Sequence, residues 1–310
     1  MTLPDLNSPD KPARPPRRWG LWLPYLALFI GVGLWSAYWL WLEQQVTARM
    51  HAAPGHLAWD SCQISGYPFR LDVKLTGVHA SDGAGWALAA PVIKAEAFAF
   101  SPGQWVMVAP DSISFTRPLG GPVVVQATVL RASVSHIDER PVRISIEGAD
   151  LNFSTPVGAH AYFLRSAKAF HFHSQAGPQD QGAIYLEIEG GRPTPGTWVG
   201  TMAAGGEVDL IVDGIFSRAH ALSGTNLAGI LSSWAASGGA VSLRNLSWRA
   251  GRLSLETKGG RLGLDPQGRL SGRLKVRTGD ETSQRAGSLD FAPQGVTLEQ
   301  HTLSPALHLY

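Results

Sequence analysis

Cysteine is nearly absent from this chain. Cys62 stands alone, so no intrachain disulfide can staple the fold, and stability must come from a packed core. Its neighbours Trp59, Asp60 and Ser61 lack the small and aliphatic character of a lipid-attachment site, and a plain, partly buried thiol is expected. Charge is scarce as well. Asp, Glu, Lys and Arg make up 16% of the residues, against roughly 25% in an average soluble protein. The net +2 belongs to the first eighteen residues, and from Glu43 onward acidic and basic residues balance. A nucleic-acid-binding domain usually carries a basic excess, so nucleic acid is set aside as a partner. Catalytic signatures are missing too: there is no Gly-x-Ser-x-Gly elbow, no phosphate-binding Gly-x-x-x-x-Gly-Lys loop and no His-Glu-x-x-His. Gly83 and Gly85 lack the third glycine and the following helix of a dinucleotide site. The expectation is a protein that is not an enzyme and needs no cofactor.

One segment lacks charge altogether. Residues 19–42 contain no Asp, Glu, Lys, Arg or His, and as a helix they reach roughly 36 Å at about 1.5 Å per residue. That crosses a hydrocarbon core of about 30 Å with length to spare. Trp19, Trp22 and Tyr25 stand at one end, and Trp35, Tyr38, Trp39 and Trp41 at the other, as aromatic belts do at the two bilayer interfaces. Pro24 falls in the first turn or two, where few backbone donors are lost. Lys11, Arg14, Arg17 and Arg18 all precede the span, which predicts a cytoplasmic N-terminus and a body on the far side. A cleaved signal peptide would have a hydrophobic region of only about 7–15 residues and end in small ones. This run is longer and ends in Trp-Leu-Trp-Leu, as a signal anchor does.

Three regions follow: a disordered cytoplasmic tail at 1–18, a transmembrane signal anchor at 19–42, and a β-rich domain at 43–310. The anchor helix is expected to run on to about Ala53, where Pro54-Gly55 stops it. Beyond it the hydrophobic period is two. Phe69-Arg70-Leu71-Asp72-Val73-Lys74-Leu75 alternates cleanly, as do Val142-Arg143-Ile144-Ser145-Ile146 and Ile184-Tyr185-Leu186-Glu187-Ile188. Turn signals such as Ser101-Pro102-Gly103, Gly120-Gly121-Pro122 and Gly190-Gly191 separate these runs. The fold class is therefore mainly β: a large antiparallel sheet, curved or elongated, with a half-buried face. One segment departs from this pattern. Leu227, Ile230, Leu231 and Trp234 fall at helical spacing behind Asn226 and ahead of Gly238-Gly239, which predicts an amphipathic helix at 226–237. A shorter helical turn is expected at 159–167. At 259–276 a strand, an Asp265-Pro266-x-Gly268 turn and a return strand describe a β-hairpin.

Two stretches carry a likeness to a known family. Trp59-(x)4-Ile64-Ser65-Gly66-Tyr67-Pro68-Phe69-Arg70 behind an N-terminal anchor resembles the start of the proteobacterial domain-of-unknown-function family 2125. Leu231-(x)2-Trp234-(x)3-Gly238-Gly239 and the hairpin at 259–276 resemble its C-terminal half. The likeness covers most of residues 20–280. It implies the inner membrane of a Gram-negative cell and a domain facing the periplasm, and it brings no catalytic residues. The hairpins are also similar to those of AsmA-like envelope proteins, which use long curved sheets with an apolar inner face, several of them implicated in lipid movement.

Few polar residues compete for a functional role. Arg70 is a candidate for gripping a phosphate or carboxylate, although Pro68 gives its motif a simpler purpose as the entry to a strand. His171 and His173 share a strand face without a third ligand nearby, and no metal site is expected. Asp111, Asp138, Glu139 and Glu147 offer no reason to pick a pair. The leading expectation is an envelope protein whose apolar sheet surface, with Leu71, Val73 and Leu75 on one strand face, meets lipid or another hydrophobic ligand. A scaffold for other envelope proteins, acting through sheet edges or the 226–237 helix, is the alternative, and an envelope hydrolase the second.

Overall fold

The charge-free run is a helix, α1 (Leu23–His51), with Pro24 in its first turn, where no hydrogen bond is sacrificed. An 18-residue window of α1 has mean hydropathy 1.5 and is only 11% buried, so the helix is long and apolar enough to cross a membrane. The structure, a computed structural model, describes residues 22–52, 56–137, 141–223, 226–279, 283–299 and 301–307. The tail at 1–18 and the expected stop at Pro54-Gly55 lie outside the described residues.

Among the described residues from His56 onward, nineteen strands form one antiparallel sheet, close to a simple meander. β1 (His56–Ala58) and β2 (Ser61–Ser65) lie end to end along β3 (Arg70–Ser81), which pairs with β4 (Ala87–Phe98). β5 (Ser101–Val108) and β6 (Ser112–Arg117) share the far side of β4. β7 (Gly121–Gln126) and β8 (Val129–Ser135) in turn share one side of β9 (Arg143–Ser154). β10 (Leu164–Gly177), β11 (Gln181–Pro193), β12 (Val208–Ser217) and β13 (Ala240–Ala250) then follow one another across the sheet. β14 (Leu253–Thr257) and β15 (Gly260–Leu264) divide the next place. β16 (Leu270–Gly279), β17 (Gln284–Ala292), β18 (Gly295–Leu298) and β19 (His301–Ser304) complete the order. The expected hairpin at 259–276 is the β15–β16 pair, its turn closed by Asp265 Oδ1, which accepts from the Gln267 and Arg269 amides at 2.9 Å.

A seam crosses the first half of the sheet. Gly77 on β3 has φ +59, Asp150 on β9 has φ +52 and Gly190 on β11 has φ +56, each a left-handed residue inside a long strand. β1 gives way to β2 opposite Gly77, and β5 gives way to β6 opposite residues 90–93 of β4. Pro91 falls in that gap, where its missing N–H deprives no neighbour. Bulges bend strands and increase their twist, so a row of them curves the sheet. A Cβ at Gly77 would also lie 1.9 Å from the exposed Asp60 carboxylate, which would have to swing aside.

The concave face is apolar and is covered section by section. Trp35, Trp39, Leu42 and Val46 form one stripe of α1 that packs with Leu71, Ala99 and Trp105. Tyr162 and Phe163 cover Val125, Leu151 and Ile188. A short helix, α2 (Trp198–Ala203), packs Val199 and Ala203 on Val208 and Ala250. α3 (Leu227–Ala236) is the expected amphipathic helix, capped by Asn226 Oδ1, which accepts from Gly229 N–H at 2.6 Å. Its Trp234 is buried and donates Nε1–H to the Ser217 carbonyl at 2.6 Å. The helical turn expected at 159–167 is not formed. β10 begins at Leu164 instead, because pairing with β9 and β11 on both sides outweighs the weak helical preference of an alanine-rich run. Cys62 is exposed rather than partly buried, since β2 is an edge strand with β3 on one side alone.

Candidate functional site

The last third of the sheet rolls over on itself. In a flat sheet β12 and β18 would stand roughly 24 Å apart, at about 4.8 Å per strand. Yet Val208 and Leu210 of β12 and Val296 of β18 line one cavity of about 370 Å³. Its near wall is completed by Leu164, Ile188, Leu246 and Trp248, and its far wall by Leu289, Phe291, Leu303 and Leu307. The Leu270 amide holds the final segment down by donating to the Leu307 carbonyl at 2.9 Å.

α2 forms the rim. Thr197 caps it, its Oγ1 accepting from the Gly200 amide at 3.1 Å, and this sets Trp198 against Trp248 with ring centroids 6.0 Å apart. Trp198 is 40% exposed and Trp248 half-buried, so the two rings flank the opening. Ser304 is the one polar residue in the lining, and its hydroxyl is spent on the Pro305 carbonyl at 3.0 Å. A guest in this cavity meets a wall of aliphatic and aromatic side chains with few polar atoms, and most polar groups it brought inside would be stranded. The surface suits hydrocarbon, at about 0.8 kcal/mol per buried methylene.

Phe163 joins the lining to a second aromatic group. Tyr162 packs against Phe163, Phe153 and Phe115 with centroids 4.4, 4.9 and 5.7 Å away. Burial pushes its hydroxyl up to about 12, opposed by the nearby Arg117 charge. The Arg117 guanidinium stands 5.4 Å from the Tyr162 ring centre and donates to the His160 and Gly120 carbonyls at 2.7 and 2.9 Å.

The residues singled out from the sequence lie elsewhere. Leu71 is fully buried in the cluster beneath Trp39 and Leu42, Val73 on the same face is buried, and Leu75 is half-buried. At Leu71 that strand face is covered by the chain's own α1. Arg70 is exposed and bonded to Asp72 at 3.2 Å and Glu96 at 2.5 Å, which occupies its charge. His171 and His173 do share a face, with rings 6.4 Å apart, and His173 Nδ1 lies 2.8 Å from Ser145 Oγ. Among the described residues no three His, Cys, Asp or Glu side chains converge on a metal position. Glu147 is paired with Arg131, whose hydrogen bond holds the carboxyl below its ordinary range. Asp111 is on the turn between β5 and β6, and Asp138 and Glu139 lie outside the described residues.

Sequence reasoning missed the cavity because its walls meet only through the roll. α2 did leave a signal, a Pro195-Gly196 turn followed by the capping residue Thr197.

An apolar helix long enough to cross a membrane, followed by one large antiparallel sheet with an apolar cavity, defines a class of mainly β protein with an N-terminal candidate membrane helix. Residues 42–286 match the family described as "Uncharacterized protein conserved in bacteria (DUF2125)", and the chain belongs to it. No curated protein and no solved structure matches the chain, and the likeness of its hairpins to AsmA-like proteins finds no counterpart in the match.

Proposed function

We propose that this protein is a non-enzymatic envelope component. In this reading α1 anchors it in the inner membrane, and its sheet domain, on the periplasmic side, holds a hydrophobic ligand of acyl-chain character in the rolled C-terminal cavity. The observation that carries the proposal is the cavity itself. About 370 Å³ falls within the usual range for small-molecule sites, roughly 300–1,000 Å³, and the lining is almost wholly aliphatic and aromatic, with the Ser304 hydroxyl donating to the Pro305 carbonyl. The basic residues ahead of the span, Lys11, Arg14, Arg17 and Arg18, support the orientation.

The test fills the cavity without touching the anchor. Leu303→Trp adds an indole to the far wall of the full-length protein, and mass spectrometry then quantifies lipids co-purifying with wild type and variant. Bilayer lipid around α1 is common to both. A hydrophobic species recovered with the wild type and reduced severalfold in the variant, at similar melting temperature, is the expected result. Identical lipid profiles would sink the proposal.

A further inference from the structure

We infer that the tip of the sheet nearest the anchor, formed by Tyr67, Phe69, Phe98 and Phe100, dips into the bilayer surface beside α1. The inference rests on α1 spanning a membrane and is independent of the cavity.

The length of free helix is the first argument. Residues 22–34 of α1 are exposed throughout, and the covered stripe begins at Trp35. From Leu23 to Leu34 the helix rises about 18 Å, well short of a hydrocarbon core of about 30 Å. Even the whole uncharged run from Trp19 to Leu34 is shorter than the roughly 20 residues a spanning helix needs. The domain thus begins to touch α1 before the apolar layer has been crossed. What touches it there is the turn at 66–69 and the β4–β5 hairpin at 98–101.

These loops also expose an apolar surface. Tyr67 is 52% exposed, Phe69 64%, Phe98 53% and Phe100 67%. Phe98 and Phe100 stack with centroids 5.0 Å apart, and the Ala99 amide between them donates to the Phe69 carbonyl at 2.9 Å, so the two loops form one aromatic tip. It continues the bare apolar surface of α1. Aromatic rings favour the bilayer interface, whereas four of them clustered in water would be an aggregation liability.

Backbone hydrogen bonding points the same way. Water normally satisfies the carbonyls of an exposed turn. Here the anchor helix does so with side chains: Trp35 Nε1–H donates to Pro68 O at 2.8 Å, Trp39 Nε1–H to Arg70 O at 2.9 Å, and Tyr38 O–H to Ala99 O at 3.2 Å. Gly66 O accepts from the Arg70 amide at 2.9 Å, and the Tyr67 hydroxyl lies 2.8 Å from Ser36 Oγ. Non-helical backbone at membrane depth must have its polar groups paired within the protein, and the carbonyls of Gly66, Pro68, Phe69, Arg70 and Ala99 are so paired.

The test uses the full chain carrying Cys62→Ser, reconstituted in phosphatidylethanolamine–phosphatidylglycerol vesicles that contain nitroxide-labelled acyl chains. An environment-sensitive dye is attached singly through Phe100→Cys, Leu28→Cys on the free part of α1, or Leu119→Cys on the β6–β7 turn. That turn lies beyond the opposite end of β4, roughly 35 Å or more from the tip by strand length. The expected result is blue-shifted emission at positions 100 and 28, mostly lost to the nitroxide lipid. The dye at 119 should respond only to aqueous iodide. A dye at 100 that iodide quenches as it does at 119, while 28 reports lipid, overturns the inference. So does a blue-shifted dye at 100 that the lipid label cannot quench, which would mean a second protein copy covers the tip. A dye at 28 that does not report lipid removes the membrane-spanning premise itself.

Discussion

Tyr162 shows how one buried hydroxyl can be read out in solution. Its pKa is raised from 10.0 to about 12, first by burial, so the folded state favours the neutral ring. A group whose folded pKa is raised contributes stability that is fully present below the unfolded value and is lost as pH rises through the folded one. The loss attributable to Tyr162 falls between about pH 10 and pH 12. Tyr162→Phe should therefore flatten the decline in melting temperature across that window relative to wild type. Equal declines would mean the ring ionises freely. At this scale the sequence was half legible. Alternation placed Leu71 and Val73 on an inward face, but alternation describes one strand and says nothing of what lies over it. The same holds for Trp35 and Trp39, which read as a membrane belt. Each aromatic ring has an apolar body and a polar edge, and only the fold shows that the indole N–H groups reach the backbone at residues 68 and 70.

Among the elements, α3 was legible because its cap, stripe and terminal glycines all lie within a short window. Asn226→Ala should cost about 1 kcal/mol, visible as a small drop in melting temperature. No change would mean that tertiary contacts alone hold the helix start. α2 escaped notice because six residues are too few for a period to register. The seam escaped for another reason: a strand glycine is common, and left-handed geometry at Gly77, Asp150 and Gly190 shows only across neighbouring strands. For α1, the double substitution Trp35→Phe with Trp39→Phe keeps the apolar body and removes both N–H donors. Each orphaned carbonyl should cost about 1–3 kcal/mol where water is excluded. Hydrogen exchange at residues 66–70 should then accelerate while the β10–β13 amides stay protected. Unchanged exchange would show that ring packing suffices.

At the scale of the whole molecule, the sheet's antiparallel meander follows from many short alternating runs joined by tight turns, each visible locally. Its roll does not, because the cavity joins Leu164 to Leu307 and no local pattern spans that distance. Orientation can be checked directly: a periplasm-active reporter fused after Tyr310 should be active and a cytoplasm-only reporter silent. The reverse would place the sheet on the other side of the membrane.

The bolts between α1 and the turn at 66–70 have a consequence for reach. A domain on a flexible stalk sweeps a volume set by the length and stiffness of its linker. This one is fastened to its helix by three aromatic donors and a packed stripe, contacts that hold the two together. With α1 as the membrane anchor proposed above, its working radius is the plane of the membrane, travelled by lateral diffusion of that anchor. A protein built in this way meets what comes to the bilayer surface and cannot ferry cargo away from it.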